Sequence, residues 1–215
     1  MLFHLVKKEC LLAKKYLLFM FLVAVVFPPF MTSKLGLNSG FMVFLTTAFV
    51  IQLLLTGTVS LAESKYEKGA ALLCAIPYTR SLLVKAKYVF DILIYVSFCI
   101  VYTVTALTFP RYMMLMDWFT MGIVFLLLTI IRGIVLPLEY KLGYEKTKYI
   151  SMIFVMVTPF LLPSLMKSLE AKNINFAKLA MASSVIGNLA PFLLALIVGI
   201  ISIIISNKIY SKKEL

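Results

Sequence analysis

Long apolar runs separated by short charged intervals constrain this chain more than any other feature of its sequence. Several runs approach the roughly 20 residues that an α-helix needs to cross about 30 Å of hydrocarbon. Hydrophobic residues make up 62% of the chain and charged residues only 14%, which is far more apolar than a soluble domain. A membrane barrel would show alternating segments of about ten residues, and the sequence has none. The sequence therefore predicts an all-α polytopic membrane protein.

The apolar runs divide the chain into six predicted spans. The segment 1–15, in which lysines interrupt apolar residues, has the spacing of an amphipathic helix lying in the membrane interface. A cleaved signal peptide fits poorly, because Pro28 and Pro29 follow the first apolar run and no small-residue cleavage site does. The spans are expected at 16–31 and 41–62 (within 16–62), at 88–109 and 119–138 (within 88–138), and at 149–166 and 179–206 (within 149–206), followed by a tail at 207–215.

The length leaves no room for a second domain. Six spans take up well over half of the 215 residues, and the longest polar interval between spans is 63–87. The sequence contains no phosphate-binding loop, no zinc-protease or serine-hydrolase motif and no cluster with metal-ligand spacing. We therefore predict a single transmembrane domain over 1–215, with no catalytic residue, metal or cofactor of its own. Any energy for its work has to come from a partner.

The distribution of lysine and arginine predicts the orientation of the spans, because positive residues accumulate in the cytoplasmic loops of helical membrane proteins. Fifteen of the 21 lie on the face that carries both termini, five lie on the opposite face, and Arg132 lies within a span. Both termini and the interval 63–87 are therefore expected on the cytoplasmic side of the cell membrane. This bias accounts for the net charge of +12 without a nucleic-acid partner, which would require a soluble domain.

Two charged residues lie inside predicted spans at similar depths. Asp91 is three or four residues from the cytoplasmic end of the third span, and Arg132 is about six residues from that end of the fourth. Neither charge is tolerable against lipid without a partner or water. We expect Asp91 to pair either with Arg132 or with Lys87, one helical turn earlier. A clamp between neighbouring helices is favoured over a proton or substrate relay, because one pair is too little for a relay.

The interval 63–87 carries the features of a docking element. Gly69 follows a charged stretch and tolerates the positive φ at which one helix ends or another begins. Residues 70–75 are apolar, and Pro77 stops this run because the residue before a proline is pushed out of the α region. Basic residues follow at Arg80, Lys85 and Lys87. The pattern predicts a short lateral helix beneath the membrane that a cytoplasmic partner can grip and move.

The same interval resembles the first cytoplasmic loop of ABC-2-type transporter permeases. That family has a glutamate-and-glycine segment, a short helix ending near a proline, and then an arginine and a lysine–tyrosine pair entering the third span. The matching residues are Glu63, Glu67, Gly69, Leu72, Leu73, Pro77, Arg80, Lys85, Lys87 and Tyr88. Tyr78 and Thr79 depart from the family, which more often has a small aliphatic residue and a serine there. The interfacial helix, six spans and cytoplasmic termini extend the resemblance over the whole chain. The small size is similar to that of bacterial peptide export and immunity permeases, such as the phenol-soluble-modulin exporter.

The resemblance implies partners and a mechanism. Two permease subunits, identical or paralogous, would pair around a central pathway, each bound by a separate ATPase that holds ATP and Mg²⁺. The short helix would seat in a groove of the ATPase and move the third span as a rigid body. The residues implied in this coupling are Glu63, Glu67, Gly69, Leu72, Leu73, Pro77 and Arg80. Arg80, Lys85 and Lys87 are alternatively held against anionic membrane lipid.

The sequence constrains the substrate less than the mechanism. An apolar pathway rich in methionine and phenylalanine suits an amphipathic peptide or a lipid-like molecule better than a sugar. Two other functions remain open, namely a non-transporting membrane anchor or scaffold for a cytoplasmic ATPase, and an intramembrane enzyme. An enzyme needs paired catalytic groups at one depth, and only Asp91 and Arg132 qualify, without a nucleophile or a metal partner. We therefore predict an exporter permease that is not itself an enzyme.

Overall fold

The computed structural model describes residues 2–35, 40–64, 80–153 and 185–211. Within these ranges the chain is helical apart from the connection 109–117 and Gly143. The helices are α1 (Leu2–Leu35), α2 (Gly40–Ser64), α3 (Arg80–Thr108), α4 (Trp118–Leu142), α5 (144–153) and α6 (Val185–Ser211). All except α5 are long and apolar enough to cross a membrane. The described part of the chain is therefore all-α and polytopic, with five candidate spans.

Several helices run past the boundaries that the sequence suggests. α1 has no break near residue 15, so the expected interfacial segment and the first span form one continuous helix. The physical reason is local, because Lys14 and Lys15 are good helix formers and no glycine or proline separates the two segments. Only residues 149–153 of the predicted fifth span, 149–166, are among the described residues. The predicted sixth span, 179–206, is described from Val185.

α3 and α4 also extend beyond the apolar runs that locate them in the sequence. α3 begins at Arg80, about two helical turns before the predicted start at Tyr88. α4 continues through Glu139 to Leu142 instead of ending at residue 138. Charged residues at these ends are good helix formers, which explains both extensions. Because α3 starts early, the connection between α2 and α3 is shorter than the predicted interval 63–87. Gly143 ends α4 with φ +83°, and its N–H donates to the carbonyl of Glu139.

The helices form one bundle with α2 at its centre. α1 packs along α2 and α3, α4 packs along α6, and α2 contacts both α3 and α4. An aromatic group of Phe44, Phe98 and Tyr102 joins α2 to α3, with the rings of Phe44 and Tyr102 in T-shaped contact at 4.7 Å. The described ends at Leu2 and Ser211 lie at the same end of the bundle, which is called the charged end below because ionic side chains meet there.

Small residues bring α4 and α6 close together. A Cβ atom at Gly122 would lie 3.0 Å from Pro191 and Phe192, and one at Gly133 would lie 3.4 Å from Ser202. Ser202 also donates a hydrogen bond of 2.8 Å to the carbonyl of Gly133. Helices in membranes associate through such small-residue contacts and interhelical hydrogen bonds, because lipid supplies no hydrophobic force between them. α4 and α6 consequently run parallel as one unit.

Candidate functional site

Five ionic side chains meet at the charged end, where they join helices α1, α2, α3 and α4. Lys8 Nζ lies 2.7 Å from Glu63 Oε1 and 3.3 Å from Glu9 Oε1. Lys87 Nζ lies 2.8 Å from Glu63 Oε2 and 3.6 Å from Glu139 Oε1. Glu63 therefore bridges the two lysines. These residues (Lys8, Glu9, Glu63, Lys87 and Glu139) are called the charged cluster.

The charged cluster is shielded from solvent on the side of the bundle. The side chains of Glu9, Lys87 and Glu139 are 4%, 13% and 12% exposed, whereas those of Lys8 and Glu63 are 29% and 26% exposed, so the cluster is shielded on one side only. Lys87 also lies over the ring of Tyr140, at 5.6 Å from its centre, and that ring contacts Tyr210 of α6 at 4.8 Å. Removing a partner from such a shielded group leaves an uncompensated charge, so the network couples the ends of its helices strongly.

A second ionic contact, the inner pair of Asp91 and Arg132, lies one turn deeper along α3. Arg132 Nε donates to Asp91 Oδ2 at 2.9 Å, and both residues are less than one-tenth exposed. Gln52 of α2 donates through Nε2 to the carbonyl oxygen of Asp91 at 3.0 Å. The inner pair thus ties α3 to α4, while Gln52 ties α3 to α2.

Tyr88 attaches α3 to α6 between the two ionic layers. Its hydroxyl hydrogen-bonds to Ser202 and, at 3.0 Å, to Ser206. Lys87 and Tyr88 are adjacent on α3 and Asp91 lies one turn further along, so one helix carries all three connections. Movement of the start of α3 is therefore linked to every other described span of the bundle.

A cavity of about 100 Å³ lies beside the inner pair, between α3, α4 and α6. A larger apolar groove of about 550 Å³ adjoins it and reaches Trp118 at the opposite end of α4. The two spaces share Ile92, Tyr95, Phe125 and Leu196. Among the described residues, no group of histidine, cysteine and acidic side chains has the arrangement of a metal site.

The structure places some of the residues singled out in the sequence and leaves others outside its described ranges. It brings Asp91 and Arg132 together, while Lys87, the alternative partner of Asp91, pairs with Glu63 and Glu139 instead. Glu63 lies in the last turn of α2, and Arg80 begins α3. The positions outside the described residues are Glu67, Gly69, Leu72, Leu73 and Pro77.

The comparison with protein families decides the class. The family model described as ABC-2 family transporter protein matches residues 4–211, which is nearly the whole chain.

The chain belongs to this family.

As an ABC-2 permease it is a multi-pass membrane component of a transporter, and such components normally receive their energy from a separate ABC ATPase. No curated protein and no solved structure matches the chain significantly.

Sequence reasoning about this ABC-2 permease missed most of the charged cluster. In the sequence, Lys8 and Glu9 fall in the predicted interfacial segment 1–15 and Glu139 directly follows the predicted fourth span, so no pairing between helices is predicted for them, and Tyr88 enters only through the loop motif. The sequence does contain a clue to the cluster. Lys8, Glu9 and Glu139 all lie near the predicted cytoplasmic ends of spans, where opposite charges on different helices can meet. Which pairs form depends on helix rotation, and this cannot be obtained from spacing within one segment.

Proposed function

We propose that this ABC-2 permease is the membrane-spanning subunit of an exporter, driven by a separate ATPase that docks on the interval 63–87 at the cytoplasmic face. The observation that carries the proposal is the contact between Glu63 and Lys87, the two residues that bound this interval. Their charged groups lie 2.8 Å apart. The bases of α2 and α3 are thereby clamped together beneath the bundle.

The clamp supports a route for mechanical coupling. A force on the interval between α2 and α3 acts first on its two ends, and those ends are bound to α1 through Lys8 and to α4 through Glu139. Long helices transmit rigid-body displacement because their packed interfaces are bistable and do not deform continuously. Closure of an ATPase would thus move several spans together.

Glu63 has a different role in this proposal from the other coupling residues. It is engaged inside the bundle with two lysines, so we assign it to transmission and not to direct contact with the ATPase. Contact with the ATPase is assigned to Glu67, Gly69, Leu72, Leu73, Pro77 and Arg80. ATP and Mg²⁺ would be bound by the partner, and a second permease copy or a paralogue would complete the transporter.

The apolar groove supports an amphipathic peptide or a lipid-like molecule as the exported substrate. The groove is lined largely by aliphatic and aromatic side chains, and its volume of about 550 Å³ lies within the range of about 300–1,000 Å³ that is usual for ligand sites. Trp118, which is 74% exposed, and the half-exposed Ile100 and Leu196 lie along its edge. A sugar would find few hydrogen-bond partners there.

Docking is tested by co-purifying the permease with a separate ABC ATPase, sought first among the products of neighbouring genes. The double variant Glu67→Lys/Leu73→Asp should lose the ATPase while the permease remains folded in the membrane, because it reverses one charge and removes one apolar contact in the docking interval. The matched control Leu142→Asp/Glu145→Lys makes the same changes at exposed positions outside the interval and should retain the ATPase. Equal retention by both double variants would contradict the docking site.

A further inference from the structure

The inner pair leaves a charged oxygen unused at the edge of the 100 Å³ cavity. Asp91 Oδ1 has no hydrogen-bond partner among the described residues. Arg132 contacts Asp91 through its Nε, and its two Nη groups carry further N–H donors that a ligand could use. A buried acceptor without a partner, such as Asp91 Oδ1, is costly. Something polar is therefore expected beside this pair.

The cavity is large enough for a small polar group. Its volume of about 100 Å³ is well above the roughly 10–15 Å³ that a single buried water needs. Its other polar side chains are already engaged: Tyr88 bonds to Ser202 and Ser206, and Thr129 donates to the carbonyl of Phe125. Among the described lining residues, Asp91 Oδ1 has no partner, and Arg132 and Gln52 are the other polar side chains that an occupant could contact.

The apolar groove beside the cavity indicates the shape of a ligand that would occupy both spaces. The two spaces share lining residues on α3, α4 and α6, and the groove is almost free of polar surface. A molecule that fills both spaces needs a polar end of small volume and a longer apolar end. That description fits an amphiphile lying between α3, α4 and α6, with its tail directed toward Trp118.

We propose that the cavity and the groove form one binding site for a single-chain amphiphile with a zwitterionic head group. The head's cation contacts Asp91 Oδ1 and its anion contacts the Nη groups of Arg132. The inner pair has no net charge, so a head with a net charge would bring an uncompensated charge to membrane depth, whereas a zwitterion would not. This inference rests on the proposed function, because it names the substrate class of the exporter.

Trp118 provides the readout, since it is the only tryptophan in the chain and lines the groove. The purified permease, without any ATPase, is titrated in detergent with lysophosphatidylcholine whose acyl chain is brominated, which quenches tryptophan fluorescence on contact. The same chain on lysophosphatidylglycerol tests the head group. We expect saturable quenching by both probes, with at least tenfold tighter binding of the zwitterionic one.

Two variants separate the head site from general contact with lipid. Asp91→Asn/Arg132→Gln removes both charges together and should abolish the tenfold preference while quenching persists. Gly199→Val adds a side chain to the cavity wall, with its Cβ in ordinary contact at 3.7 Å from Thr129, and it should weaken binding about tenfold. Gly57→Val is the control, since Gly57 faces open space and lies outside both cavities, and it should bind as the unchanged chain does.

Two results would overturn the inference. Quenching that does not saturate and is equal for the two heads would show ordinary lipid contact. Quenching that disappears when the permease dimerises would assign the groove to a second copy of the chain. Either result leaves the docking proposal untouched, because no ATPase takes part in the titration. Conversely, loss of the docking proposal would leave a positive titration standing as a binding site without an assigned energy source.

Discussion

At the residue scale, the inner pair shows how a buried charge is kept in a membrane bundle. Asp91 and Arg132 are each less than one-tenth exposed, and each has the other as its ionic partner. Attraction between two buried charges barely offsets the cost of removing both from water. The stability therefore depends on the pair being complete, and much less on either charge alone.

This arrangement predicts a non-additive response to substitution. Arg132→Gln leaves the Asp91 carboxylate buried without its partner and should destabilise the protein by about 3–5 kcal/mol. Asp91→Asn/Arg132→Gln removes both charges and should cost less than the single change. Unfolding of the purified permease in detergent, followed for both single variants and the double variant, measures this coupling. A double variant that is less stable than Arg132→Gln would contradict the account.

The inner pair was also the part of the site most accessible from sequence. Two charges in otherwise apolar runs, at similar depths from one face, must be compensated, and this left only two candidate partners for Asp91. The charged cluster was harder to predict, because Lys8, Glu63 and Glu139 lie at helix ends where unpaired surface charges are common. Its pairs join residues up to 55 positions apart, and no local pattern encodes them.

At the scale of elements, the parallel contact of α4 and α6 depends on glycine. Gly122 lies against Pro191 and Phe192, and Gly133 lies against Ser202, so the seam is closest where side chains are smallest. Lipid supplies little hydrophobic driving force for helix association, so van der Waals packing between closely approaching backbones holds the helices together. Enlarging a residue in the seam should separate the helices, whereas the same change elsewhere should not.

We predict that Gly122→Val destabilises the bundle by about 1–3 kcal/mol, the usual cost of overpacking a filled core. Its Cβ would lie 3.0 Å from Pro191, whose ring cannot move away without shifting the backbone of α6. Gly57→Val is the matched change at a position with no heavy atom within 4 Å of the added Cβ. Thermal aggregation of the two variants in detergent compares them. Equal stability would show that the seam tolerates larger residues.

The helix boundaries illustrate what sequence patterns can and cannot locate among elements. Apolar runs identified the five spans that are long enough within the described residues, because length and hydropathy are sufficient for that purpose. They misplaced the start of α3 at Tyr88, since charged residues from Arg80 onward were assigned to a loop. Those charges are compatible with helix when partners on other helices neutralise them, as Glu63 and Glu139 do for Lys87.

At the scale of the whole molecule, the described spans are linked at one end by charge and at intermediate depth by the inner pair. α3 contacts every other described span through these links, while the groove lies at the far side of the bundle. In the proposed function, the charged end would receive force from the ATPase and the groove would hold the substrate.

We propose that the charged cluster transmits nucleotide-driven movement from the docking interval to the far end of the bundle. Trp118 begins α4, about 30 Å along that helix from Glu139. Permease labelled with 5-fluorotryptophan therefore has one ¹⁹F signal, which can be observed in complex with unlabelled ATPase. The signal is compared before and after a non-hydrolysable ATP analogue is added, for the unchanged chain, for Glu63→Gln and for the exposed control Glu145→Gln.

We predict that the analogue shifts the Trp118 signal in the unchanged chain and in Glu145→Gln. Glu63→Gln should keep its ATPase and lose the shift, because neither Lys8 nor Lys87 then has its central partner. An equal shift in Glu63→Gln would contradict transmission through the charged cluster, and no shift in the unchanged chain would contradict coupling between the two ends of the bundle.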